Sequence, residues 1–449
     1  MSNHIGKKAI VVGAGIGGLA AAGALADYFE HVLVLERDDL PTTPIPRPGT
    51  PQSRHVHVLL SGGARALDEL FPDFMQTAVQ AGAMLVDYTW DTRTERGEFD
   101  PFPQRKLGIV SCCASRPLIE FTVRQLLRRR SNVAINQGCR VRAILSAGGD
   151  VTGVRVDTAE EDDATLDADL VIDASGRGAL TLDSLKSERY ALPEETSIGM
   201  DLNYSTGVFA MPPDYARDWK SVVMSPAAPQ TSRGALLFPC EEDRWMLTLT
   251  GLHSEKPAGD WDGFIDDARR LRTPTIYNAV SGAERIGDIQ RAAMPMSVRR
   301  HYERLASFPR RLIPIGDAIC RFNPTFGQGM TVAALEATLL RRLLSTSTAE
   351  TDPFAGLASS YFSQIAELLV SPWSTANLDL VYPETSGSRP PELRDTIEFG
   401  RAIFRLAARD PEVHRLFYEV QHLLRPNSAY RDPHFVERVR AVMAEAQIR

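Results

Sequence analysis

Apolar residues along the chain change spacing several times, and each change marks a structural element. Residues 9–26, AIVVGAGIGGLAAAGALA, carry no charge and follow Lys7-Lys8. An uncharged run behind two lysines imitates a secretion signal or a short membrane span. Its glycines argue otherwise. β-Branched residues up to Val12 predict a buried strand, the Gly13–Gly18 stretch a tight turn, and the alanines beyond it a helix. A second apolar strand, HVLVLERD, follows. Farther on, SRPLIEFTVRQLLRRR reads as a helix with Pro117 in its first turn, and NVAINQGCRVRAIL as a strand pair. In VTGVRVDTAEEDDATLDADLVID, alternating strands flank a polar turn and lead into an apolar strand. That pattern predicts a β-meander inserted into a parallel sheet.

Late in the chain, TVAALEATLLRRLL has helical spacing directly after Gly327-Gln328-Gly329. A Pro/Gly/Ser-rich connection at 373–393 then precedes three predicted helices, at 391–409, 411–424 and 432–446. Ile403, Phe404, Leu406, Phe417, Leu423 and Leu424 recur near helical spacing. They form a face for capping the core or meeting a second copy, which leaves room for a homodimer. Trp373, Asp379 and Tyr382 are expected to border a substrate cavity.

Composition narrows the picture. The 449 residues suffice for two or three domains, and 43% apolar with 24% charged residues is a folded, not a disordered, balance. A net charge of −7 exerts no general pull on nucleic acid or anionic lipid. The runs RRR at 128–130 and EEDD at 160–163 read as solvated faces. The cysteines at 112, 113, 139, 240 and 320 form no CxxC, so a reduced, cytoplasmic protein is expected. Cys112-Cys113 reads as core filler. No metal site is expected, since His55 and His57 at i, i+2 have no acidic cluster nearby.

Candidate chemistry begins with Gly13, Gly15 and Gly18, which fit G-x-G-x-x-G between strand and helix, with Gly17 inside the same turn. The first glycine makes the turn, the second admits a pyrophosphate, and the last permits close helix packing. Glu36, followed by Arg37, ends the next strand, where an acid accepts the ribose hydroxyls of an adenosine. The pattern fits NAD and FAD equally. At 170–178, LVIDASGRG runs an apolar strand into Asp173 and a turn. At 316–330, GDAICRFNPTFGQGM sets Gly316, Asp317, Pro324 and a glycine corner ending in Met330 just before a helix. Glycines there bring backbone amides close to a flat, partly anionic ligand.

GAGIGG, DASG and GDAICRFNPTFGQG together resemble the single-component FAD-dependent flavoprotein monooxygenases, over roughly residues 8–345. PQSRHVHVLLSGGARALDELFP (51–72), with GALLFPCEEDRWMLTLTG, is most similar to the flavin epoxidases of polyether-antibiotic biosynthesis. The resemblance implies an α/β fold in which a Rossmann-like FAD-binding domain with a β-meander (1–79, 108–185 and 296–372) is interleaved with a β-sheet substrate domain (80–107 and 186–295). A C-terminal helical cap (373–449) completes it. It implies non-covalent FAD, held by the glycine turn, Glu36, Arg116 beside the ribityl–phosphate region, Val141 at the adenine, and Asp317 on a ribityl hydroxyl. Pro324 would lie near the isoalloxazine, with Gly327, Gln328 and Gly329 offering N–H groups to its pyrimidine end. Arg54, His55 and His57 would reach flavin, nicotinamide or substrate.

NADPH or NADH would reduce the flavin and leave. O2 would then add at flavin C4a, and one oxygen atom would pass to a small apolar metabolite, a polyketide, terpenoid or aromatic. The open alternatives are an alkene reductase of the geranylgeranyl-reductase type, a flavin halogenase and a non-catalytic FAD-binding chain. The halogenase W-x-W-x-I-P motif is absent, and no lysine occurs between 75 and 105.

Overall fold

The computed structural model describes residues 4–158 and 161–447. Glu160 of the acidic run, with the outermost residues of the first and last expected segments, lies outside them. The uncharged N-terminal run is a strand, Gly6–Val12, and a helix, Ile16–Leu25, buried on almost every side. A five-stranded parallel sheet is ordered Leu312–Pro314, Leu170–Asp173, Gly6–Val12, Phe29–Leu35, Val133–Asn136. Strand alternation divides its side chains between two layers. Ala9 and Val11 enter the core with the helices Ile16–Leu25, Arg116–Leu127 and Gly329–Ser347. Ile10 and Val12 pack against the meander Arg140–Ala147, Asp150–Asp157, Ala164–Asp167. Both faces are covered, which is why these strands read as continuous apolar runs.

The expected strand pair at 132–145 is corrected here: both strands form, but they part. Val133–Asn136 joins the parallel sheet while Arg140–Ala147 opens the meander. Gly138, at φ +64°, makes the turn between them, and the Cys139 amide bonds to the Glu36 carbonyl.

A seven-stranded sheet forms the second unit, ordered Cys320–Arg321, Arg285–His301, Glu194–Ala210, Arg244–Leu252, Gly234–Cys240, Ser221–Met224, Thr92–Glu95. One face packs on the helices Trp261–Arg269 and Thr275–Val280 around Trp245 and Phe264. The other turns toward the RHVH segment. A small sheet of Val58–Leu59, Val110–Cys113 and Met84–Asp87 ties the units together. Cys112 and Cys113 are completely buried in it. Strand Arg285–His301 runs unbroken past residue 295, so the two units share backbone here and do not meet at a linker.

The C-terminal helices are Leu393–Arg409, Pro411–Gln421 and Pro433–Gln447. The middle one stops short of 424 because Leu423 turns to φ +55°. Their apolar faces close over Phe102, Leu107 and Ile109. The 373–393 connection is more ordered than its composition suggests. Helix Val370–Ala376 enters it and the turn Asn377–Val381 follows, with Trp373, Asp379 and Tyr382 all buried. No helix among the described residues is long and apolar enough to cross a membrane.

Candidate active site

Backbone geometry builds the first wall of the site. Gly13 has φ +102°, and a Cβ on Gly18 would stand 1.9 Å from the Gly13 carbonyl oxygen, so side chains are excluded from this turn. Gly15 caps helix Ile16–Leu25 with no side-chain bond, leaving first-turn N–H groups free. Above Gly15 lies the Arg116 guanidinium, its Nη2 3.8 Å from where a Cβ would be. Ser115 caps the Arg116 helix and is itself gripped by Glu241. Arg116 Nε donates to Glu120 at 2.8 Å, which aims the rest of the guanidinium at the glycine turn.

Glu36 is buried and accepts from the Ala14 N–H at 2.7 Å and the Asp38 N–H at 3.0 Å. Arg47, which sequence reading passed over, stands 3.3 Å from Glu36, 2.7 Å from Asp38 and 3.5 Å from Glu120. Burial would lower its pKa, but Glu120, Glu36 and Asp38 reverse this and raise it. Arg37 is exposed beside Asp38. Val141 is half-buried against the meander core. Asp173 departs from the cofactor-contact expectation. It is completely buried, and both carboxylate oxygens are taken by the N–H and hydroxyl of Ser175 and Thr181 at 2.6–3.1 Å. It pins the turn under the site and does not face it.

The second wall is the 316–330 segment. Gly316 adopts φ +67° and its N–H donates at 2.5 Å to Glu336, an acid buried on helix Gly329–Ser347. Burial lifts the Glu336 pKa to about 8, against the pull of the Gly316 N–H. A lone acid in TVAALEATLL was the signal for it. Asp317 is open to solvent yet surrounded by protein, the mark of a cleft wall. Burial raises its pKa, and Arg116, Arg321 and Arg300 oppose the rise.

Asn323 fixes the next corner. Its Oδ1 accepts from the N–H and hydroxyl of Thr325, and its Nδ2 donates to Asp379 at 2.9 Å. Pro324–Phe326 makes one short turn, and Gly327 follows at φ +69° against Leu60. Helix Gly329–Ser347 begins at Gln328 without a side-chain cap, and a Cβ on Gly329 would meet nothing within 4 Å. Among the described residues, Gln328 Oε1 and Thr331 Oγ1 are buried without hydrogen-bond partners, while Met330 is buried in the core.

The RHVH segment splits three ways. Arg54 is exposed. His55 is buried, its Nδ1 2.8 Å from Thr206 Oγ1, which shares a 2.6 Å bond with Thr248. Its ring meets Tyr204 edge-on at 4.4 Å. Burial, then Arg54, lowers its pKa to about 4. His57 donates from Nδ1 to the His55 carbonyl at 2.9 Å, which leaves Nε2 as an acceptor. Burial, then nearby Arg116, holds it at about 3. Gly15, Arg116, His57 and Asp317 thus gather at one end of the cleft, and both histidines are neutral at pH 7.

Asp379 closes the site from the C-terminal side, its pKa lifted to about 6 by burial against the Asn323 bond. Tyr382 packs with Met200, Leu202, Tyr204 and Leu252 and bonds the Thr231 carbonyl at 3.2 Å. The two uncapped helix starts and the empty space at Gly329 fit a long ligand with a phosphate end and a ring end.

Residues 7–361 match a family described as an FAD binding domain. A protein of Mycobacterium tuberculosis, Rv3254, is 33% identical over 371 residues, covering 77% of this chain and 75% of its own length. The FAD-dependent monooxygenase ausM of Penicillium brasilianum is 24% identical over 361 residues, 75% of this chain and 69% of its own. Among solved structures, the flavin-dependent brominase Bmp2 superposes with a TM-score of 0.68 at 13% identity, covering 98% of this chain and 99% of its own.

Proposed function

Because the chain belongs to the FAD-binding-domain family, we propose that it is an FAD-dependent monooxygenase that spends NADPH or NADH and inserts one atom of O2 into an apolar secondary metabolite. The observation that carries this is that Arg116 stands over the uncapped helix start at Gly15 and acts on both Asp317 and His57, while His55 of the same segment bonds Thr206 of the seven-stranded sheet.

Bound FAD supplies the redox chemistry, accepting a hydride and activating oxygen. The chain's residues do the rest. The N–H groups beyond Gly15 hold the pyrophosphate and Arg116 balances its charge. Asp317 accepts from a ribityl hydroxyl. The N–H groups at the start of Gly329–Ser347 favour negative charge at the pyrimidine end. Leu236, Phe238 and the Thr206–Thr248 pair keep water from the reacting face.

Epoxidation of an electron-rich alkene needs no base, and the polyether-epoxidase likeness of residues 51–72 favours it. Phenol hydroxylation is the second reading, supported by Asp379, whose pKa of about 6 suits a general base next to the Pro324 corner. Bmp2 shares the fold, and its chemistry carries no weight here at that identity.

The test is ¹⁸O2 turnover with NADPH or NADH against alkene and phenol libraries. One labelled atom in the product supports a monooxygenase. A saturated product with label only in water or peroxide points to the reductase, and a halide-dependent product to the halogenase. The Asp379→Asn variant separates the two oxygenase readings, since only phenol turnover falls.

A further inference from the structure

On the sheet face turned toward the cleft, Thr94, Val223, Leu236, Thr248 and Thr206 stand in register across five strands. His55, bonded to Thr206, lies over the far end of this row. Val223 and Leu236 are in the interior of the sheet yet remain partly exposed, so the row is a cleft wall. Two residues beyond Thr94, Arg96 falls on the same face, its backbone kept extended by a bridge to Phe99.

The Arg96 guanidinium is half-buried and lies over the Phe404 ring, 4.6 Å from its centroid. Among the described residues its side chain has no ion pair and no hydrogen bond. The neighbouring acids are spoken for: Glu95 is held by Arg93, Thr273 and Thr275, and Glu98 by Arg405. The groups acting on Arg96 are the phenols of Tyr418 and Tyr88 and a second cation, Arg401. A guanidinium partly desolvated with no counter-charge carries a cost, and a ligand anion removes it.

The wall is continuous from the cofactor corner to this cation. A Cβ on Gly327 would meet Leu60 at 3.6 Å, and Leu60 packs in one cluster with Phe238, against which Tyr88 also lies. The Tyr88 ring is 5.3 Å from that of Tyr418, whose hydroxyl reaches Thr94 at 3.4 Å. We infer that Arg96 anchors a carboxylate of the substrate, whose apolar body lies along Leu236, Phe238 and Tyr88 with its reacting end at the Gly327 corner. Forked N–H groups suit that group's planar oxygens.

This rests on the monooxygenase reading only for the reacting end; the anchor is tested by binding alone. FAD-loaded protein is titrated with 2-naphthoate and with the neutral naphthalene-2-carboxamide, followed by flavin absorbance and calorimetry. We expect the acid to bind at least tenfold more tightly, Arg96→Met to abolish that preference while retaining FAD, and Arg96→Lys to keep part of it. Equal affinities for acid and amide in the unmodified protein, binding of neither, or a preference that survives in Arg96→Met would each overturn the anchor. If Arg96→Met loses its FAD, the acid–amide comparison and Arg96→Lys still decide. A carboxylate preference without oxygen transfer would uphold the anchor and sink the monooxygenase, and the converse result would do the reverse.

Discussion

At the scale of single residues, the proposed cofactor end of the cleft would depend on a few polar contacts of modest individual strength. Asp317→Ala or Arg116→Ala removes one, and a lost hydrogen bond to a charged group is worth about 1.5–3 kcal/mol. We therefore expect FAD affinity to fall roughly ten- to a hundredfold in each, measured by quenching of flavin fluorescence. Wild-type affinity in both variants would reject this end of the site. A second expectation concerns His422, which is buried, accepts from the Ser61 hydroxyl at 3.1 Å and is held by burial at about 3 instead of the usual 6.5. Above pH 6.5 both folded and unfolded chains leave it neutral. Below that, only the unfolded chain takes the proton, so its contribution is lost by up to about 1.4 kcal/mol per pH unit. The difference in denaturant stability between the protein and His422→Gln should be flat above pH 6.5 and shrink below it; parallel curves would refute the assignment. Glycines and Asp317 were legible because each position tolerates few residue types. Arg47, Glu120 and Arg96 were not, because a charged side chain in a loop, on a helix or past a strand end gives no hint of what faces it until the chain folds.

Elements were easier to read than their partners. The glycine turn, the Pro117 helix, the meander strands and the three C-terminal helices all stand out as periodic runs. Yet NVAINQGCRVRAIL gives no sign that its two strands enter different sheets, since a turn at Gly138 looks the same in either case. Composition also misled at 373–393, where three prolines and Gly387 interrupt a segment that nonetheless packs Trp373 and Tyr382 inward. The C-terminal helices do more than cover apolar surface. The Gly62 N–H donates to the His422 carbonyl at 3.0 Å, and Gln328 Nε2 reaches the Gln421 carbonyl at 3.5 Å, so the end of helix Pro411–Gln421 abuts both the RHVH-side helix and the glycine corner. A Cβ on Gly62 would stand 2.6 Å from that His422 oxygen. Gly62→Ala should push the C-terminal helices away, seen as faster proteolysis near 384–391 and weaker FAD retention. Unchanged cleavage would mean that the contact gives way without effect.

For the molecule as a whole, the parallel sheet is assembled from distant parts of the chain. Its first strand is Gly6–Val12, and its edge strand Leu312–Pro314 comes only after six of the seven strands of the second sheet, up to His301, have been laid down. During synthesis the Gly13–Gly18 turn emerges first and must wait for the Gly327 corner. At roughly 5–20 residues per second, about 300 residues of delay amount to roughly 15–60 s. Throughout that interval the nascent chain holds one half of the proposed cofactor site, and from its own synthesis onward the edge strand's neighbour, Leu170–Asp173, lies uncovered. Ribosome-bound chains arrested before residue 312 should therefore emerge colourless, while full-length chains released into FAD turn yellow. The cofactor then acts as the last clasp of assembly, joining what the ribosome makes first to what it makes nearly last, and cells short of flavin would accumulate this protein in a form open along that edge.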